Sequence, residues 1–156
     1  MDNSTITQLE FAPLKGKKIT ALFDEPRVSS DGGVLLLREV DRQLGLMDRL
    51  AEVITDNRRA SHVAHQVAEL MRQRTYQIGC GYEDADDCDH LRADPALKTA
   101  VGRDPADDPD LGSQPTMTRL ENAVTARDLL RLGYAFIDQF IASYDAPPEV
   151  IVLDMD

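Results

Sequence analysis

The residues best suited to chemistry lie in the last ten positions and in two short polar runs. Asp154 and Asp156 follow the apolar run Val150-Ile151-Val152-Leu153 at alternate positions, so on a β-strand both carboxylates share one face. Taken alone, they read as the solvated end of a strand. Arg58, Arg59, Arg72 and Arg74, with His62 and His65, form the one basic stretch of the sequence. That stretch suits phosphate contact, although a solvated helix face is the commoner meaning of such a pattern. Thr116, Arg119 and Asn122 follow a capping serine, Ser113, at three-residue spacing. These types reach phosphate oxygens and base edges, and they also suit an ordinary capped helix packed by Met117 and Leu120.

Other polar clusters point away from chemistry. Residues 83–110 hold ten acids against Arg92, Lys98 and Arg103, without the Asp-x-Asp-x-Asp-Gly order and terminal Glu of a calcium loop. They read as solvated surface. Cys80, Cys88 and His90 lack the close Cys-x₂₋₄-Cys spacing of a zinc site, and no histidine has a serine partner that would make a nucleophile and base.

The elements that must position these residues are mostly helical. Residues 1–18 read as a flexible lead-in, and Ile19–Asp24 as a short strand. Apolar spacing predicts a helix from Val34 to Leu44 ended by Gly45, a short one from Leu46 to Ile54, and a long one from Arg58 to Ile78 stopped by Gly79-Cys80-Gly81. Short helices fit Asp84–Arg92 and Pro95–Val101, and Asp104–Gly112 reads as a solvated connector. Ser113-Gln114-Pro115 opens a helix through Val124, in the manner of the second helix of a helix-turn-helix. A long helix follows through Leu129, Leu132, Phe136, Phe140 and Tyr144. Glu149 to Asp156 reads as a buried strand. The expected fold class is therefore mainly α with a short N-terminal β-element, organised as a lead-in over 1–18, a helical region over 19–146 and a strand over 147–156.

Composition narrows the function classes. The chain has 156 residues with 28 acids and 17 Lys or Arg, a formal net charge of −11. That balance argues against a freestanding nucleic-acid binder, because phosphate neutralisation needs surplus cations. No apolar run approaches a membrane span, no secretory signal opens the sequence, and two cysteines are too few for a disulfide framework. A cytoplasmic setting without membrane contact is the expectation.

Several blocks resemble a known family. The run from Gln73 through Tyr76-Gln77-Ile78-Gly79 and Gly81-Tyr82-Glu83-Asp84-Ala85, followed by Leu91-Arg92-Ala93-Asp94-Pro95, is similar to the N-terminal region of DDE-type insertion-sequence transposases, most of all the insertion-sequence 1380-type family. Ser30-Asp31-Gly32-Gly33, Ser113-Gln114-Pro115-Thr116 with Arg119-Leu120-Glu121-Asn122, and the terminal Val-Leu-Asp-Met-Asp agree in order. The resemblance implies a ribonuclease-H-like catalytic core, of which 147–156 is the first strand. It implies that Asp156, with Asp154 as the alternate, is the first of three acids holding two divalent cations, usually Mg²⁺. The other two acids lie beyond this sequence, so the resemblance describes an N-terminal piece that does not cleave DNA by itself. The DNA partner it implies is the transposon's terminal inverted repeats, with contacts from Arg58, Arg59, Arg72, Arg74, Thr116, Arg119 and Asn122. The protein partner is another copy or an intact transposase, with action at the prokaryotic nucleoid. The alternatives are a stand-alone helical module that competes with intact transposase, and a decayed remnant.

Overall fold

The computed structural model describes residues 8–22, 31–59, 61 and 63–152. β1 (Leu9–Leu14) and β2 (Lys17–Ala21) form an antiparallel hairpin. Seven helices follow among the described residues: α1 (Val34–Leu44), α2 (Leu46–Glu52), α3 (Val67–Gly79), α4 (Asp87–Leu91), α5 (Pro95–Val101), α6 (Gln114–Ala123) and α7 (Ala126–Ala142).

The hairpin corrects the expected lead-in. Lys15 and Gly16 sit at φ of 47° and 79°, the two positive values that a two-residue hairpin turn with the right twist requires. Phe11 pairs with Ile19 across the strands, and both pack on the main core. Residues 9–14 are therefore strand rather than lead-in, and β2 ends at Ala21; residues 1–7 and 23–30 lie outside the described residues.

α1 and α2 match the predicted pair. Gly45, at φ 63°, ends the first and opens the second, a left-handed position that glycine adopts cheaply. Asp41 holds the bend: one carboxylate oxygen accepts the Met47 N–H at 2.8 Å, and the other accepts Arg72 Nε at 2.9 Å and the Tyr76 hydroxyl at 3.1 Å. Arg72 also reaches Asp48 at 2.6 Å. One carboxylate thus joins α1, the start of α2 and α3. Burial and the Asp41 charge push the Tyr76 hydroxyl well above its ordinary range.

The helix predicted from Arg58 starts only at Val67. Asp56 accepts the Arg58 N–H at 3.0 Å and its guanidinium at 2.8 Å and 2.7 Å, a local turn that competes with helix. Arg103 donates to Ala64 O and to Pro109 O and Asp110 O, and pairs with Glu69. It ties the backbone before α3 to a distant loop.

The acidic stretch is not a solvated connector. Leu111 and Gly112 are buried, and Gln73, itself inaccessible, gives its amide N–H to Gly112 O and accepts Gly112 N–H, both at 2.8 Å. Lys98 is 4% exposed and donates to Pro105 O and Asp108 O. Asp104 accepts the N–H groups of Ala106 and Asp107, while Lys17 pairs with Asp104 and Lys15 with Asp108. The aspartates close a loop around a buried lysine and pin it to the hairpin.

Asp94 caps α5 by accepting Leu97 N–H at 2.7 Å, with Pro95 in the first turn. α6 takes its cap from elsewhere: Asp89 of α4 accepts the Gln114 N–H at 3.0 Å. Twelve residues, 102–113, separate α5 from α6, so the short turn of a helix-turn-helix is absent here. α7 opens on a capping box in which Thr125 and Asp128 exchange hydrogen bonds.

The core lies in three parts. The main one gathers Val34, Leu35, Tyr76, Leu97, Val101 and Leu111; a second holds Met47, Leu50 and Ala135; a third holds Leu70, Cys88 and Met117. The expected terminal strand is not formed over its described part. Residues 149–152 carry no strand pairing, and Val150, Ile151 and Val152 are all exposed. An apolar run becomes a strand only where a neighbouring strand accepts its ladder, and the hairpin is the one sheet among the described residues. None of these helices is long and apolar enough to cross a membrane.

Candidate nucleic-acid interface

The fold brings two of the sequence-predicted basic groups together. The irregular run after α2 and the outward face of α6 border one cleft of about 510 Å³, lined by Asp56, Asn57, Arg58, Arg59, Thr116 and Arg119 among others. The local turn at Asp56 sets the near wall, as it swings Arg58 and Arg59 out of any helix. The far wall follows from helical spacing: Thr116, Arg119, Leu120 and Ala123 recur at three and four residues, while Met117 points the other way into the core with no accessible surface.

The cations at this cleft differ in their electrostatics. Arg58 is paired with Asp56, whose carboxyl it holds below the usual range, and its own guanidinium is raised in turn. Arg59 and Arg119 are exposed and form no ion pair among the described residues. Two such guanidiniums facing one groove, with a threonine hydroxyl and an asparagine amide beside them, are suited to hold phosphate oxygens bidentately.

The other predicted contacts are placed elsewhere. Arg72 is occupied by Asp41 and Asp48. Arg74 pairs with Glu121 at 2.8 Å and donates to Glu83 O and Asp84 O, bracing α3 against α6. Asn122 is exposed on α6 but is not among the residues lining the cleft. His65 lines it; its Nδ1 lies 3.1 Å from Glu69. His62, Asp154 and Asp156 lie outside the described residues. Asn57 also lines the cleft, whereas in the sequence Asp56-Asn57 reads as a capping signal alone.

Several of the carboxylates hold the fold. Asp94 and Asp89 cap helices, Asp104 and Asp108 close the loop around Lys98, and Asp128 caps α7. Among the described residues, no group of three or more His, Cys, Asp or Glu is placed to hold a metal ion. Cys80 and Cys88 are both reduced, and burial pushes both thiols up.

The blocks that carry the family resemblance meet in the fold, directly or through a neighbouring residue. Gln73 holds Gly112 just before Ser113-Gln114-Pro115, Tyr82 donates to Asp31 at 3.2 Å, and Cys88 Sγ donates to Gln77 Oε1 at 3.1 Å. No curated protein and no solved structure matches the chain. The family described as transposase DDE domain group 1 matches residues 11–156, nearly the whole sequence. The ordered blocks, their contacts in the fold and that match agree, and the chain belongs to the DDE transposase family, group 1.

Proposed function

We propose that this region of a DDE transposase contacts the DNA of the transposon end through the cleft between residues 56–59 and α6. The carrying observation is that Arg58, Arg59, Thr116 and Arg119, far apart in sequence, line one groove. The net charge of −11 opposes binding at long range, and Lys15, Lys17 and Arg92 offset Asp104, Asp107, Asp108 and Asp110 only in part, so the contact proposed is a local one. The groove keeps two exposed guanidiniums. Arg59 and Arg119 are the principal contacts in this reading, with Arg58, Asn57 and Thr116 supporting; Asn122 lies on α6 outside the cleft, and Arg72 and Arg74 act through the fold.

The finer family reading is the insertion-sequence 1380-type subgroup, supported by the four ordered sequence blocks. In that reading Asp156, or Asp154 two residues earlier, gives one carboxylate of a Mg²⁺ site within a ribonuclease-H-like core. Two-metal strand transfer needs further acids around the same ions. We infer that residues 1–156 by themselves do not cleave or join strands; a nicked product from the purified chain in Mg²⁺ would sink that inference.

The DNA contact is tested by fluorescence anisotropy with a duplex of the element's terminal inverted repeat and a scrambled duplex. Binding is expected at low salt and should weaken steeply as salt rises. Arg59→Ala and Arg119→Ala should each weaken binding and lower the salt slope by about one. No binding at low salt, or unchanged binding by the double variant, overturns the assignment.

A further inference from the structure

α7 is buried along one narrow side only. Leu132 and Ala135 pack on Met47 and Leu50, and Asp128 caps the helix against Thr55. The opposite side is apolar and uncovered among the described residues: Leu130, Tyr134, Ile137 and Ile141 are each more than half exposed, and Phe140 and Tyr144 nearly so. At 100° per residue the five that lie on α7 fall in one stripe, and Tyr144 follows just past the helix end. Together they expose on the order of 700 Å², taking roughly 200 Å² for a whole large side chain. That is close to the about 800 Å² each partner gives a standard interface.

Three features of the stripe say what covers it. Gly133 stands in its middle, and a Cβ there would meet nothing within 4 Å. Glycine is a poor helix former, and no contact among the described residues calls for it. It leaves a notch of about 330 Å³ between Leu130, Tyr134 and Ile137, the kind of hole into which a facing side chain inserts. Beside the stripe runs a charged edge, with Arg127 and Arg131 in the N-terminal half and Asp138 in the C-terminal half. Among the described residues Arg131 makes only long contacts, 3.4 Å to Thr55 Oγ1 and 3.7 Å to Asp128 Oδ1.

We propose that the exposed face of α7 pairs with α7 of a second copy of this chain, antiparallel about a two-fold axis near position 135. An antiparallel two-fold brings the same edge of both helices together, so basic halves meet acidic halves. The register that sets Arg131 beside Asp138 of the second copy also sets Ile137 over the Gly133 notch. Parallel pairing would set this edge against the opposite, apolar edge of Leu129 and Phe136 and leave its charges without partners. One register therefore satisfies the charges and the packing together.

The test is sedimentation velocity of the full chain from low to high micromolar, with cysteine cross-linking. A reversible dimer is expected. Gly133→Leu fills the notch and improves helix propensity, so it should raise the dissociation constant at least about tenfold without unfolding the chain. Arg131→Glu and Asp138→Arg should each weaken the dimer, and the double reversal should restore it. Tyr134→Cys, near the axis, should self-cross-link under mild oxidant. Ile141→Cys should not, because twelve residues of offset put the two copies about 18 Å apart. A monomer at every concentration, an unaltered Gly133→Leu dimer, or equal cross-linking at both positions would overturn the pairing. None of these readouts involves DNA, so they stand or fall separately from the groove.

Discussion

At Gln73 and Gly112 a single side-chain amide does what a strand pairing would do elsewhere. Both groups of the amide and both backbone groups of Gly112 are satisfied by two 2.8 Å bonds in a site with no accessible surface at Gln73. Truncating the side chain leaves a buried N–H and a buried C=O without partners, and each such loss costs about 1–3 kcal/mol. Gln73→Ala should therefore lower unfolding stability by about 3 kcal/mol, read as a reduced urea midpoint with an unchanged slope. Gly112→Ala tests the same contact from the other side. Its Cβ would lie 2.7 Å from Leu70 Cδ2 and 3.0 Å from Gln73 Oε1, an overpacking expected to cost about 2 kcal/mol. If either variant unfolded with the wild-type midpoint, the amide pair would not be holding the loop.

The element most dependent on one ionised group is α7. Asp128 accepts Thr125 N–H and hydroxyl and Thr55 N–H and hydroxyl, which hold its carboxyl down to about 2. The unfolded chain titrates this group near 3.9. Because the folded value is the lower, its stabilisation is complete above about pH 4 and is lost as pH falls through about 2. Asp128→Asn should be less stable at neutral pH, and its stability should fall less than that of the wild type between pH 4 and 2; parallel losses in the two proteins would refute the assignment. This capping box, like the helices around it, follows local rules: Gly45, Asp94-Pro95 and Thr125 mark helix ends by their own chemistry. Elements whose limits depend on distant partners were not legible. Nothing near Arg58 announces that Arg103 will hold Ala64 outside a helix. Nothing in the aspartates of 104–110 announces a buried Lys98. The hairpin strand over 9–14 is too short and mixed to stand out until Phe11 meets Ile19 and the core.

Across the whole molecule, the same division separates the groove from its parts. Each basic run was visible as a candidate, but their convergence spans some sixty positions and depends on Arg74 bracing α3 to α6 through Glu121, a contact no periodicity encodes. The exposed Val150-Ile151-Val152 run is an unpaired β-former liable to edge pairing, so removing residues 149–156 should raise the soluble fraction on concentration; an unchanged fraction counts against this. Attachment of the elements is also uneven. The main core draws on the hairpin, α1, α3, α5 and Leu111, whereas α7 rests on α2 through a small cluster and on Thr55 through Asp128. Local opening follows the poorest-buried unit. Amide exchange at low micromolar concentration should therefore show α7 opening before α1, α3 and α5. Thr55→Ala, which removes one hydroxyl bond to Asp128 and a distant one from Arg131, should speed exchange in α7 several-fold while leaving α3 as it was. Were α7 to exchange only with global unfolding in both proteins, the helix would have to be bound more firmly than its own-chain contacts allow.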